Sequence, residues 1–333
     1  MTKKLLMGNE AFAHAALEAG VRVVAGYPGT PSSEVTETVA KLHASGAAQG
    51  IHVEWSTNEK SALELLAGAS YCGARTLFTC KQVGLNVASD PLMSLNYVGV
   101  KGGTVLFVAD DPGPISSQTE QDTRRFGNFA KVPVLDPATP DQGFDMMKAA
   151  FELSERYKTP VIVRPTTRVC HASTFFDVAE ETHAKPIPEE GFERGPRWVI
   201  FPKRAFEGHG EINERLRAIA VDYSTNPVLS AFNPVDERRV AGQLTRHGIV
   251  AGGVSAAYAL EALRLLEERA SERGRHIVSG RWALPSRSLS ARAPSLPRGL
   301  PTCSCLKSST MCWRTSCWRL RAGRMPSTTR TVS

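Results

Sequence analysis

Short apolar runs recur along the first half of the chain, at residues 21–25 (VRVVA), 51–55 (IHVEW), 75–80 (RTLFTC), 103–109 (GTVLFVA), 132–135 (VPVL) and 160–164 (PVIVR). Between most of them the apolar positions repeat at helical spacing, over 9–19, 33–45, 58–72, 84–96 and 140–157. Gly20, Gly46 and Gly73 close three of these helical runs, where a left-handed cap is wanted. Short, largely apolar strands alternating with helices predict an α/β fold, a doubly wound parallel sheet covered on both faces. Ligands of such sheets bind beyond the carboxyl ends of the strands, so chemistry is expected in the loops that follow them.

After about residue 176 the pattern changes. Residues 177–200 are rich in acid, Pro and Gly and suggest a linker, and a polar helical stretch follows around 211–224. The segment "HGIVAGGVSAAYALEALRLLEERA" restarts a strand, a Gly turn and a helix. The expected division is therefore a first domain at 1–176, a linker with a helical stretch at 177–224, the start of a second α/β domain at 225–270, and an irregular basic tail at 271–333.

A chain of 333 residues has room for two domains. No window approaches a membrane span, and the first twenty residues lack the apolar core of a signal peptide, so a cytoplasmic protein is expected. The net charge of +7 invites a nucleic-acid partner, but its distribution excludes one: residues 271–333 hold twelve basic side chains against one acid, while the rest of the chain is slightly acidic. That tail also carries four of the seven Cys (Cys303, Cys305, Cys312, Cys317), three of the five Trp and twelve Ser. Three readings compete for it: a disordered basic tail, a zinc site of unfamiliar spacing, and a loss of reading frame near residues 271–276. The last is the expectation, because Arg, Ser, Pro, Cys and Trp in this mixture are what out-of-frame GC-rich codons give.

The strand ends carry the candidate chemistry. No G-x-x-x-x-G-K-[ST] phosphate loop occurs, and Gly252-Gly253 suits either a tight turn or an anion at a helix start. Tyr27-Pro28-Gly29-Thr30-Pro31-Ser32-Ser33 follows the first strand, stiffened by two prolines and offering Ser32 or Ser33 as a helix cap; a rigid cap and a ligand loop are both open. Glu59 opens the helix after the second strand. It is either an ordinary first-turn acid or a carboxyl, partly desolvated by Ala62, Leu65, Leu66 and Ala69, that shares a proton with a ligand nitrogen. Gln82, Gly84 and Asn86 follow the third strand, and "DDPGPISSQTEQDTRRFGNFAK", with hardly an apolar side chain, follows the fourth. A loop that long inside a compact domain is usually functional or disordered, and three consecutive polar, Gly-bearing strand ends favour one pocket.

The blocks "GYPGTPSSEV", "EWSTNEKSALELLAGASYCGARTLFTCKQVGLNVASDPLMSLNYVGV", "ADDPGPISSQTEQDTR" and "TPVIVRPTTRVCH" resemble the alpha subunits of the indolepyruvate:ferredoxin oxidoreductase family. These are thiamine-diphosphate-dependent 2-oxoacid oxidoreductases, and the resemblance spans about residues 3–175, continuing weakly to about 270. It implies that 1–176 is the pyrimidine-binding domain, with Glu59 as the catalytic carboxyl that hydrogen-bonds the pyrimidine ring nitrogen. Tyr27, Pro28, Gly29, Thr30, Pro31, Gln82, Gly84 and Asn86 match the cofactor-binding loops. Thr30, Asp110 and Asp111 fall at the family's substrate positions. The implied reaction is oxidative decarboxylation of arylpyruvates to aryl-acetyl-CoA, with coenzyme A and ferredoxin as co-reactants and a beta subunit as partner.

The departures from the family are equally specific. Where the pyruvate-specific relatives carry an Arg for the substrate carboxylate, this chain has Asp110-Asp111-Pro112, which fits an arylpyruvate better than pyruvate. The diphosphate and its Mg2+ need a Gly-Asp-Gly motif, yet the chain has no Gly-Asp dipeptide; the C-x2-C-x2-C-x3-C runs for [4Fe-4S] clusters are also missing. The chain as written corresponds to roughly the first half of such a subunit and is expected to be inactive alone. Two alternatives stay open: a non-catalytic α/β domain that docks with a partner, and a ferredoxin-independent thiamine-dependent decarboxylase-like enzyme.

Overall fold

The computed structural model describes residues 1–236, 239–240, 243–244, 247–272, 281–283 and 302–305. The elements run β1 (Thr2–Met7), α1 (Gly8–Glu18), β2 (Val23–Gly26), α2 (Ser33–Ala44), β3 (Ala48–Gln49), β4 (His52–Trp55), α3 (Glu59–Tyr71) and β5 (Thr76–Lys81). They continue with α4 (Gly84–Val87), α5 (Ser89–Val98), β6 (Thr104–Ala109), α6 (Thr123–Ala130), β7 (Val134–Leu135), α7 (Pro140–Tyr157), β8 (Val161–Val163), α8 (Thr167–His171), β9 (Ser173–Val178) and β10 (Thr182–His183). Next come α9 (Pro202–Thr225), α10 (Pro227–Ala231) and, beyond several short strands, α11 (Val254–Glu272).

Six strands form one parallel sheet in the order β4-β2-β5-β6-β8-β7. Its central strands are apolar on both faces, so each face needs a helical layer. On one face α1, α2 and α7 pack Phe12, Leu17, Val35, Val39, Met147 and Phe151 against Val24, Leu77 and Phe107. On the other, α3, α5 and α6 pack Ala62, Leu66, Leu92, Leu95 and Ala130 against Ala25, Phe78 and Leu106. The doubly wound sheet expected from the hydrophobic pattern is thus present, and Gly20, Gly46 and Gly73 all take the positive φ of a left-handed cap.

The differences are local. The expected helix over 84–96 is two helices, α4 and α5, jointed at Ala88. Residues 2–7 form a strand antiparallel to β9, which ties the chain start to the end of the first domain. The buried side of α3 comprises Ala62, Leu63, Leu66, Ala67 and Ser70, whereas Leu65 is 36% exposed; a step of about 100° per residue turns position 65 away from the sheet.

Residues 177–200 lie on the body. β10 pairs in parallel with β3, the Lys185 amide donates to the Gly20 carbonyl at 2.9 Å, and the Trp198 ring meets the Tyr71 ring at 4.5 Å between centroids. The polar helix is longer than expected, Pro202–Thr225, and Arg215 on it donates to Asn96 Oδ1 of α5 at 2.6 Å. Beyond it, the strand His247–Val250 pairs in parallel with Arg281–Ala283 and with Thr302–Cys305, and a Gly turn leads into α11. Those two strands apart, the tail after Glu272 lies outside the described residues, and with it the expectations about its reading frame and its zinc or iron-sulfur ligands. Among the described residues no helix is long and apolar enough to cross a membrane, and no group of three His, Cys, Asp or Glu is placed to hold a metal ion.

Candidate active site

Parallel pairing brings the strand ends into one row. Gly26 is in register with Trp55 on one side and Thr79 on the other, and Lys81 is in register with Ala109. The loops at 27–32, 56–58, 82–83 and 110–122 therefore open along the same edge of the sheet.

In the first loop Tyr27, Pro28 and Thr30 are exposed, Gly29 is half-buried, and Pro31 and Ser32 are buried. The peptide bond between Thr30 and Pro31 is cis. Neither serine side chain caps α2 as the sequence suggested. The Ser32 hydroxyl donates to the Gly29 carbonyl at 2.7 Å, and Ser33 Oγ accepts from the Gly29 amide at 2.8 Å. The hydroxyls thus fold the loop back on Gly29 and leave Thr30 at its exposed tip. From behind, buried Asn9 of α1 donates through Nδ2 to the Pro31 carbonyl at 2.8 Å and to Glu34 Oε2 at 2.9 Å. Beneath the loop, the hydroxyls of Thr36 and Thr79 bond at 2.7 Å. Asn9, Thr36 and Thr79 position the loop without touching its open side, and the sequence pattern did not mark them, because a lone Asn or Thr in a helix or strand has no signature of its own.

Glu59 is the first residue of α3. Asn58 caps that helix, its side chain accepting from the Ser61 amide at 2.9 Å, so the Glu59 carboxylate sits over the positive end of the helix. Glu59 is only 9% exposed, and its carboxylate has no hydrogen bond or ion pair among the described residues. Its neighbour is Gly84: a Cβ there would lie 2.3 Å from Glu59 Oε1 and 2.9 Å from Glu59 Cγ. Only glycine lets the carboxylate lie flush on the loop after β5. A carboxylate nine-tenths buried and without a protein donor is open to a donor from a ligand or from water.

Gln82, 1% exposed, continues this floor. Its Nε2 donates to the Thr119 carbonyl at 3.2 Å, whereas its Oε1 is buried and has no partner. Gly84 is buried and Asn86, on α4, is exposed. Cys80, two positions before Gln82, is fully buried; burial and then the charges of Glu59 and Asp110 push its thiol up, so it is a neutral core side chain beneath the site.

Asp110 and Asp111 differ from the sequence expectation of a substrate-facing pair. Asp110 is fully buried and accepts from Arg164 Nε at 2.6 Å, from the Thr123 amide at 3.0 Å and from the Thr123 hydroxyl. Arg164 is shared with Asp136 at 3.1 Å, and Arg124 lies 3.6 Å from Asp136 and bonds Asp122 at 2.8 Å. Burial works against the Arg164 guanidinium, but Asp110 and Asp136 outweigh it and hold the group charged. Asp111 is the hub of the loop: one carboxylate oxygen accepts from the amides of Ile115, Ser116 and Ser117 at 2.9–3.1 Å and the other from the Thr167 hydroxyl at 2.7 Å. Burial pushes this carboxyl up, yet those hydrogen bonds prevail and hold it below the usual carboxylate range. Both aspartates are fully engaged in shaping the loop, whose end is the helix α6.

Comparison with known proteins places the chain in a family. Residues 14–196 match the family model described as pyruvate flavodoxin/ferredoxin oxidoreductase, thiamine diphosphate binding. The chain is 43% identical over 266 residues to the indolepyruvate oxidoreductase subunit IorA of Thermococcus kodakarensis, covering 79% of this chain and 39% of the relative. It is 42% identical over 271 residues to the corresponding subunit of Archaeoglobus fulgidus, covering 79% and 41%. A more distant relative, the 2-oxoglutarate synthase subunit KorA of Archaeoglobus fulgidus, is 28% identical over 61% of this chain and 58% of its own. Among solved structures, a chain of 2-oxoglutarate:ferredoxin oxidoreductase from Magnetococcus marinus, with 2-oxoglutarate, coenzyme A and succinyl-CoA bound, superposes with a TM-score of 0.64 at 17% identity, over 86% of this chain and 54% of that one, which shows a shared fold. The chain spans about two fifths of the length of the indolepyruvate oxidoreductase subunits it matches. With the family model spanning more than half of the chain, this protein belongs to the pyruvate flavodoxin/ferredoxin oxidoreductase family, thiamine-diphosphate-binding.

Proposed function

We propose that residues 1–176 form the pyrimidine half of a thiamine diphosphate site, and that the protein takes part in oxidative decarboxylation of arylpyruvates to aryl-acetyl-CoA. The observation that carries this is the Glu59 carboxylate, buried, without a donor, and seated on Gly84. An aminopyrimidine fits that chemistry: its ring nitrogen, when protonated, donates to Glu59, and its amino group donates to the orphaned Gln82 Oε1. When bound, thiamine diphosphate supplies the carbon nucleophile and the electron sink of the decarboxylation.

The chain's own residues would bind and orient the pyrimidine end. Glu59 holds a proton at the ring nitrogen and so sets which tautomer of the ring is bound. Tyr27, Pro28, Gly29, Thr30 and Pro31 wall one side, and Asn86 lies on the rim. The segment 177–224 links this domain to a second α/β unit beginning at 225–270. Mg2+, the diphosphate site and the [4Fe-4S] clusters belong to parts of the enzyme other than this domain. A beta subunit, coenzyme A and ferredoxin complete the reaction, which belongs in the cytoplasm with its electron acceptor. Identity of about 40% to the indolepyruvate oxidoreductase subunits supports an aromatic rather than a short-chain 2-oxo acid.

The test is Glu59→Gln in the assembled enzyme, in which the chain is supplied with the diphosphate-binding segment and the partner subunit. The amide keeps the shape and loses the charge. Ferredoxin reduction with indolepyruvate is expected to fall by about three powers of ten, in the range of a lost acid-base group, with circular dichroism unchanged. Full activity in this variant would remove Glu59 from its role and the reading with it.

A further inference from the structure

We propose that Lys81 receives the carboxylate of the 2-oxo acid substrate, an inference that rests on the function proposed above. Lys81 is the last residue of β5, between the loop at 27–32 and the loop at 110–122. Its stem lies along Gly29: a Cβ there would be 3.2 Å from both Cγ and Cδ of Lys81, so the glycine makes the room that the stem fills beside Thr30. At the head, Nζ donates to Gln118 Oε1 at 3.3 Å, and among the described residues no carboxylate pairs with it.

The neighbouring cations are not available in this way. Arg164 is held by Asp110 and Asp136, Arg124 by Asp122 and Asp136, and Lys60 by Asp90 at 2.8 Å. The carboxylates of Asp110 and Asp111 are saturated by loop donors, and the segment 110–112 carries no cationic side chain for the substrate's negative end. A 2-oxo acid would bring that charge next to the reacting carbonyl, within the field of the unpaired Glu59. Without a cation the site repels its own substrate. The long bond from the ammonium to the neutral Gln118 amide is weaker than an ion pair and yields to a carboxylate. A half-buried ammonium on a flexible stem also binds the acid only moderately, which suits a carboxylate that must leave as CO2.

In the assembled enzyme, Lys81→Met keeps the stem and removes the charge, and Lys81→Arg keeps the charge. Lys81→Met is expected to raise KM for the arylpyruvate about tenfold with kcat within about threefold, leaving KM for coenzyme A unchanged; Lys81→Arg is expected to stay near the parent values. Competitive inhibition by a 3-arylpropionate should weaken in parallel, whereas inhibition by the uncharged 3-arylpropionamide should not. Unaltered KM and unaltered discrimination between acid and amide, in an enzyme that turns over arylpyruvates, overturn the role of Lys81 alone. An equal loss for acid and amide marks Lys81 as a support for the 110–122 loop and also overturns it. No turnover with any 2-oxo acid overturns the proposed function and this inference together.

Discussion

Gly84 and Glu59 lie 25 positions apart in the chain, yet each decides the usefulness of the other. A methyl group at position 84 would enter the space of Glu59 from Oε1 to Cγ, so the whole side chain would have to swing out of the floor of the site. The end of a flexible side chain moves cheaply and Ala suits the first turn of α4, so Gly84→Ala is expected to leave stability within about 1 kcal/mol. In the assembled enzyme it should nevertheless weaken thiamine diphosphate at least tenfold, read from the cofactor concentration at half-maximal activity. Unchanged cofactor dependence would show that the approach of Glu59 to Gly84 is incidental. At this scale the sequence was informative about residue type and silent about engagement. Glu59 could be singled out as an acid at a helix start, but not its lack of a donor. Asp110 and Asp111 stood at the right strand end for substrate contact, and only the positions of Thr123, Arg164 and the 115–117 amides turned them inward.

Among the elements, an ion cluster adds to the apolar packing that holds α7 on the sheet. Arg75, 6% exposed at the start of β5, donates to Glu155 at 2.7–2.8 Å, to Glu152 at 2.6 Å and to the Ala19 carbonyl of the turn after α1. Burial works against the Glu155 carboxylate, but hydrogen bonds from Arg75 and Lys185 lower it to about 2. A carboxyl depressed in the folded state stabilises fully above its unfolded value of about 4.5, and that contribution is lost as pH falls towards 2. The amount is roughly 2–3 kcal/mol for a group this enclosed. Arg75→Met is therefore expected to cost about 3 kcal/mol at pH 7 by urea denaturation, with the gap to the parent narrowing between pH 4.5 and 2. A constant gap across that range would assign the loss to packing alone. A second joint lies at Gly253, whose φ is +56° and whose added Cβ would sit 2.4 Å from Asp136 Oδ1. Gly253→Ala would be strained by its backbone and would press on the Asp136–Arg164 pair, so proteolysis near residues 251–254 is expected to accelerate; an unchanged digestion pattern would argue against that joint.

For the whole molecule, the open edge of the sheet is the relevant feature. Tyr27 and Trp55 are 43% and 40% exposed at the ends of β2 and β4, and Asn86 and Val87 are exposed on α4. Glu59 and Lys81 both stand at strand ends on this edge, and the sequence contains no Gly-Asp dipeptide of the kind expected to hold a diphosphate-bound metal. A polypeptide of these 333 residues is therefore expected to show no reduction of ferredoxin with indolepyruvate and coenzyme A by itself. Measurable turnover by the purified chain would refute that expectation.

Period and punctuation along the chain determined the six parallel strands, most of their helices and the row of loops at the strand ends. Those features follow from local rules, since alternating buried strands and helices admit few arrangements and ligands meet such sheets at their carboxyl ends. Family blocks in the same loops marked Glu59, Gly84 and the 27–31 segment. Tertiary structure alone decided how the polar groups are engaged: among the described residues Gln82 Oε1 has no partner, Glu59 no donor and Lys81 no carboxylate, whereas Asp110 and Asp111 are saturated. It also placed residues 182–185 along the body and Asn9 behind the loop. Hydrogen bonding is directional and joins residues many positions apart, so the composition of a loop states what groups it has but not which of them the fold leaves free for a ligand.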